Sequence, residues 1–114
     1  MTSYERGDIV LVPFPFSDQA TIKKRPAVII SSDAYNNLSA DCVIMAVTSQ
    51  TSRVSGVGEC LIEGWNDAGL LKPSAIKSAI STIERTLILK KLGRLSPSDS
   101  RSMDEALKDL LDLG

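Results

Sequence analysis

The sequence predicts a mainly β protein, a small barrel carrying one C-terminal amphipathic helix. Three observations predict it: several short apolar runs, turn-forming residues between them, and a complete helix signal at the end of the chain. No internal repeat and no linker interrupts the pattern, so the 114 residues read as a single domain, 1–114.

The first run, Ile9-Val10-Leu11-Val12, follows Gly7-Asp8 and reads as a buried strand. Pro13 and Pro15, which cannot donate to a ladder, are expected to end it. The second run, Ala27 to Ile30, opens after Pro26 and closes at Ser31-Ser32-Asp33. A polar, turn-rich stretch from Asp33 to Asp41 leads to the third strand, Cys42 to Thr48. Val57 to Ile62 alternates weakly and is expected to form a fourth strand, with a loop from Gly64 to Gly69. Ile76, Ile80, Thr82 and Ile83 mark Ser74 to Ile83 as a strand; Leu87 to Leu95 is expected to form a helical turn followed by a last short strand. At the end, Ser96 is placed as N-cap, Pro97 at the first helical position, and Asp99 where a capping-box acid belongs. Met103, Ala106, Leu107, Leu110 and Leu111 then form one apolar stripe, with the helix's acids expected to face water.

Composition bounds the function. With 43% hydrophobic and 24% charged residues the chain can build a core unaided. It holds no apolar run of the ~18 residues a membrane span needs, and no signal-peptide core precedes the first strand. Cys42 and Cys60 have neither disulfide-scaffold density nor metal-ligand spacing, and read as small buried hydrophobes in a reducing compartment. A cytoplasmic protein is expected. The formal net charge of −1 argues at first against a nucleic-acid partner. Its distribution argues otherwise. From Ala68 to Leu95 the cations Lys72, Lys77, Arg85, Lys90, Lys91 and Arg94 face one acid, Glu84; Lys23-Lys24-Arg25 form a second cluster, and the acids gather in the last helix.

Histidine is absent, which removes Ser-His-Asp and Cys-His triads, histidine-based ribonuclease chemistry and His-ligated zinc. No Walker-type loop and no Gly-x-Gly-x-x-Gly occurs, so neither a cofactor nor a metal is indicated.

Three segments are more specific. They are Gly7 to Asp18 leading into Lys24-Arg25-Pro26-Ala27-Val28-Ile29-Ile30-Ser31; Val47-Thr48-Ser49-Gln50; and Gly69 to Ser78, followed by Leu92-Gly93-Arg94-Leu95 and the final helix. In this order they resemble the MazF/PemK family of toxin endoribonucleases from type II toxin–antitoxin modules, over nearly the whole chain. The resemblance implies an SH3-like barrel of the CcdB/MazF kind. It implies cleavage of single-stranded RNA without a metal, a homodimer, and a cognate antitoxin that covers Arg25 and Lys77 in the RNA groove.

Carried over by position, the family's catalytic arginine falls on Arg25, before the proline that opens the second strand, and its catalytic threonine on Thr48, with Ser49 adjacent. The loop from Pro13 to Lys24 matches the family's substrate loop, where Asp18 is the one acid available and Phe16, Ser17 and Lys24 are candidate RNA contacts. Gln50, Lys72 and Lys77 complete the set of candidate RNA-binding residues. The chemistry agrees with the residue types. An arginine fork can hold a phosphate bidentately and stay charged at any working pH, and a threonine hydroxyl can bond a nonbridging oxygen or the attacking hydroxyl. Attack of the RNA 2′-OH on its own phosphorus then needs neither histidine nor metal, and excludes DNA. The general base stays open, with Asp18 as one candidate. The alternative is a non-catalytic toxin of the same fold that binds a protein target such as DNA gyrase, with the acidic C-terminal helix and Leu113-Gly114 as its contact surface.

Overall fold

The computed structural model describes residues 3–15, 22–54 and 56–114. Six strands form one antiparallel sheet: β1 (Asp8–Pro15), β2 (Ile22–Ile29), β3 (Asp41–Thr48), β4 (Cys60–Ile62), β5 (Ser74–Glu84) and β6 (Lys90–Arg94). Their order across the sheet is β4-β5-β3-β2-β1-β6. Among the described residues two α-helices join them, α1 (Asp33–Leu38) and the C-terminal α2 (Pro97–Leu111). The expected architecture is therefore the observed one, a curled six-stranded half-barrel with a C-terminal helix. No helix among the described residues is long and apolar enough to cross a membrane.

The central strands are buried on both faces, which is why they read as continuous apolar runs and not as alternating ones. Side chains alternate across the pleat. Ile9, Val28, Met45 and Val47 enter one core cluster, closed by Met103 and Leu107 of α2 and by Ala68 and Leu70. Val10, Val12, Ala27, Ile29, Cys42 and Ile44 enter the other, covered by Tyr4, Ile83 and Ile88. Trp65 packs against the first cluster.

α2 begins as its sequence indicates: the Ser96 hydroxyl accepts from the Asp99 amide at 3.0 Å, with Pro97 in the first turn. Its stripe is narrower than expected, since Leu111 is half-exposed while Met103, Ala106 and Leu107 are buried. Asp99 corrects the reading that the helix's acids face water. It is buried, and its carboxylate accepts from the amides of Glu63 and Gly64 at 3.0 and 2.9 Å, tying α2 to the turn after β4.

Three further expectations change. The polar stretch after Ser32 holds the short helix α1, because the Ser32 hydroxyl accepts from the Tyr35 amide and supplies an N-cap that the turn-rich composition hid. The fourth strand is confined to Cys60–Ile62. The prolines do not bound their strands as expected: β1 runs through Pro13 to Pro15, and β2 begins at Ile22, before Pro26. The Leu11 carbonyl accepts from Leu89 on the β6 side, so the nitrogen of Pro13, two residues on, faces that same side. Pairing with β6 has already stopped at Leu11, so Pro13 forfeits no ladder bond.

The sheet's edges, β4 and β6, do not pair; the segment after β4 bridges them instead. A Cβ at Gly69 would lie 2.0 Å from the Leu92 carbonyl oxygen, and one at Gly93 would lie 2.1 Å from that of Ala68. Two backbones touch there with no room for a methyl group. Leu92 is the extra residue of a bulge in β6, which turns this edge toward the loop. Gly93→Ala is therefore expected to cost about 3 kcal/mol or more in thermal unfolding. Gly56→Ala, whose Cβ would meet only the movable end of Glu59, is expected to cost far less. Equal melting temperatures for the two variants would refute closure through this contact.

Candidate nucleic-acid groove

The candidate site arises where β2 and β3 part. The Ile30 amide donates to the Val43 carbonyl at 2.9 Å, so alternate amides of β2, those of even-numbered residues, face β3. At position 26 that place is taken by proline, which has no N–H to give. The β2–β3 register accordingly ends at Ala27↔Ala46, while β2 continues along β1 to Pro15↔Ile22. β3 goes the other way and stays with β5, ending at Thr48↔Ala75.

Between the diverging strands lies a groove of about 620 Å³. Lys24, Arg25 and Pro26 of β2 line one side; Val47, Thr48 and Ser49 line the other. Gly69 to Lys72 and Ser74 contribute from the segment around the start of β5, and Lys90 to Leu92 from β6. The lining holds the cations Lys24, Arg25, Lys72, Lys90 and Lys91 and, among the described residues, no acid. In alternation, Arg25 follows Ala27 and Ile29, and Thr48 follows Cys42 and Ile44, so both extend the same face of the sheet past its apolar core.

Arg25 is half-buried, with its Nε out of contact with water. The Thr48 hydroxyl accepts from the Gln50 amide at 3.1 Å, which occupies one lone pair and leaves the O–H to donate to a bound anion. The Ser74 hydroxyl donates to the Lys72 carbonyl at 2.8 Å and fixes the backbone that presents Lys72.

Other cations of the basic segment are engaged in the framework. Arg94 pairs with Glu5 at 2.9 Å and with the buried Asp8 at 3.0 Å. Lys91 reaches Asp8 at 3.2 Å, and Arg85 donates to the Asn36 carbonyl at 2.7 Å. The two thiols lie outside the groove: burial pushes both above the usual thiol range, opposed in part by Arg85 at Cys42 and reinforced by Asp99 at Cys60, so neither is an activated nucleophile at neutral pH. No group of three or more His, Cys, Asp or Glu among the described residues is placed to hold a metal.

Residues 5–111 match the model of the PemK-like, MazF-like toxin of type II toxin–antitoxin systems. The chain belongs to this family. It is 31% identical over 101 residues to endoribonuclease MazF2 of Mycobacterium bovis, covering 87% of this chain and 88% of that one. The same figures hold for endoribonuclease MazF6 of Mycobacterium tuberculosis. The fold matches a mycobacterial endoribonuclease solved with its cognate antitoxin, with a TM-score of 0.81 at 20% identity over 98% of both chains. It also matches MazF of Deinococcus radiodurans, with a TM-score of 0.75 at 18% identity over 98% of this chain and 99% of that one.

Of the site residues expected from the MazF resemblance, Lys24, Arg25, Thr48, Ser49 and Lys72 come together in the groove. Gln50 borders it in sequence and acts through its backbone amide on Thr48. Lys77 is exposed but outside the lining: it starts the bulge by which β5 places residues 77–79 opposite Ala46. Phe16, Ser17 and Asp18 lie outside the described residues. Lys90, Lys91 and Ser74 join the groove without having been singled out. The two lysines carried a signal as part of the basic segment, but only the pairing of β1 with both β2 and β6 brings β6 within one strand of β2.

Proposed function

We propose that this MazF-type endoribonuclease toxin cleaves single-stranded RNA in the β2–β3 groove, without a metal, leaving a 2′,3′-cyclic phosphate and a 5′-OH. The observation that carries this reading is the placement of Arg25 and Thr48 on the two sides of a cation-lined groove that holds no acid among the described residues.

The phosphodiester at the scissile position carries one negative charge, which spreads over its nonbridging oxygens as the 2′-oxygen approaches phosphorus. Arg25 meets that charge with two parallel N–H donors. The Thr48 hydroxyl, already oriented by the Gln50 amide, donates to a nonbridging oxygen. The P–O5′ bond breaks as the P–O2′ bond forms, and the 5′-oxygen leaves with a proton. The 2′-OH proton passes to a base; Asp18 is the acid that the substrate loop offers. DNA, which lacks the 2′-hydroxyl, is not cut.

As for partners, a homodimer is proposed, supported by Ile80, Leu87 and Leu89, which stay 41%, 48% and 49% exposed on β5 and the segment after it. A cognate antitoxin is proposed to inhibit by covering Arg25 and Lys77. The protein is proposed to act in the cytoplasm, where its RNA substrate is.

Two measurements test this. Incubated with mixed-sequence RNA, the wild type is expected to cleave equally with and without EDTA, whereas Arg25→Ala and Thr48→Val lose about 10²–10³-fold in rate and Thr48→Ser retains most of it. Cleavage by Arg25→Ala at the wild-type rate, or loss of wild-type cleavage in EDTA, overturns the reading. Sedimentation is expected to give a dimer at micromolar concentration, and a strict monomer contradicts that part of it.

A further inference from the structure

We infer that Leu71 is the groove's contact for a nucleobase, that of a nucleotide beside the cleaved bond. The inference rests on the ribonuclease reading above and extends it from the phosphate to the base.

Leu71 is 95% exposed, the most of any large apolar side chain among the described residues. Its backbone is nevertheless held on both sides. Before it, the Gly69 and Leu70 amides donate to the Asn66 and Trp65 carbonyls at 3.2 and 3.0 Å. Gly69 lies against the Leu92 carbonyl of β6 with no room for a Cβ, and Leu70 enters the core. After it, the Ser74 hydroxyl fixes the Lys72 carbonyl at 2.8 Å, and Ser74 itself pairs with Ile62 in the sheet. Residues 69–74 thus form a strap from the β6 edge to the start of β5, where Ala75 stands opposite Thr48. A lone exposed leucine is ordinary on a protein surface. One fixed on a strap at the edge of a groove is a preformed contact, because little ordering is lost when a ligand meets it.

The groove's two chemistries come from two faces of the sheet. Arg25 and Thr48 extend the face of the Val10 and Ile29 cluster. Val47 and Leu70 belong to the other cluster, and Leu92 packs against it. Leu11 and Pro26 follow Ile9 and Val28 onto that second face. All of them border one groove, because the β2–β3 ladder has ended there and no longer separates the faces. In an extended RNA strand, base and phosphate project from opposite sides of the sugar. A phosphate held at Arg25 and Thr48 therefore turns a neighbouring base toward the apolar side, which the strap borders. At about 620 Å³ the groove has the size of a pocket for one drug-sized molecule, so it seats a short stretch of strand, and Leu71 and Thr48 meet the same or adjoining nucleotides. The contact is apolar area shed from water by the leucine and the face of the base together.

The experiment pairs a change in the protein with a change in the RNA. The probe is a single-stranded RNA carrying a sequence that the wild type cuts, with a 2′-deoxynucleotide at the cleaved position so that it binds uncut. Abasic versions each lack one base on either side of that position. Leu71→Ala is expected to bind the intact probe about three- to tenfold more weakly, at an unchanged melting temperature, and Leu71→Met to bind as the wild type does. Removing the one base that Leu71 touches is expected to weaken the wild type and to erase its advantage over Leu71→Ala. Undiminished binding by Leu71→Ala overturns the inference, as does a deficit that persists on every abasic probe. It is also overturned if Leu71→Ala binds RNA normally and loses affinity only for a cognate antitoxin, which makes Leu71 a protein contact. A wild type that cuts no RNA removes the ribonuclease reading and this inference together; wild-type cleavage with unaltered binding by Leu71→Ala sinks the inference alone.

Discussion

A missing hydrogen-bond donor organises this molecule's functional surface. Pro26 stands in β2 where an amide would face β3, and the β2–β3 ladder stops beside it at Ala27↔Ala46. Each strand keeps its other neighbour, β2 with β1 and β3 with β5, so the sheet opens locally without losing its frame. Residues immediately past the split inherit defined positions from the paired strands behind them. Arg25 and Thr48 are two such residues. A site built on strand ends backed by a two-faced apolar core holds its side chains more precisely than one built on loops alone.

The charge distribution follows from the same frame. A net charge of −1 conceals a division of labour among cations. Arg85, Arg94 and Lys91 are bound to Asn36, Glu5 and Asp8 and secure the framework. Lys24, Lys72 and Lys90, together with Arg25, border a groove with no acid among the described residues. In α2 Glu105 and Asp109 are exposed and Asp104 pairs with Arg6, while the buried Asp99 caps the turn after β4. A local positive field at the groove and an acidic surface elsewhere are thus compatible in one small protein, and net charge alone misleads about its ligand.

Much of this was legible in the sequence because its signals are local. Ser96 and Pro97 announce α2, and the continuous apolar runs of β1, β2 and β3 announce strands buried on both faces. What was not legible depends on pairing. Pro13 and Pro26 read as strand ends, since a sequence does not say which neighbour a given amide faces; Pro13 proved harmless because its side of β1 is already unpaired. Asp99 satisfied a capping-box pattern, yet its partners come from thirty-five and thirty-six residues away. Lys90 and Lys91 are indistinguishable as neighbours in a basic run, and only the alternation of β6 against β1 sends them to different faces. Arg25 and Thr48 were found through the ordered motifs of a family, not through any property of their own.

The central claim is that the groove opened at Pro26 turns the RNA's own hydroxyl onto its phosphate. Mass spectrometry of the ends of RNA fragments made by the purified protein tests this most directly. Intramolecular attack predicts a 2′,3′-cyclic phosphate on the upstream fragment and a free 5′-hydroxyl on the downstream one. A 3′-hydroxyl and a 5′-phosphate would mean that water is the nucleophile, and would contradict the account.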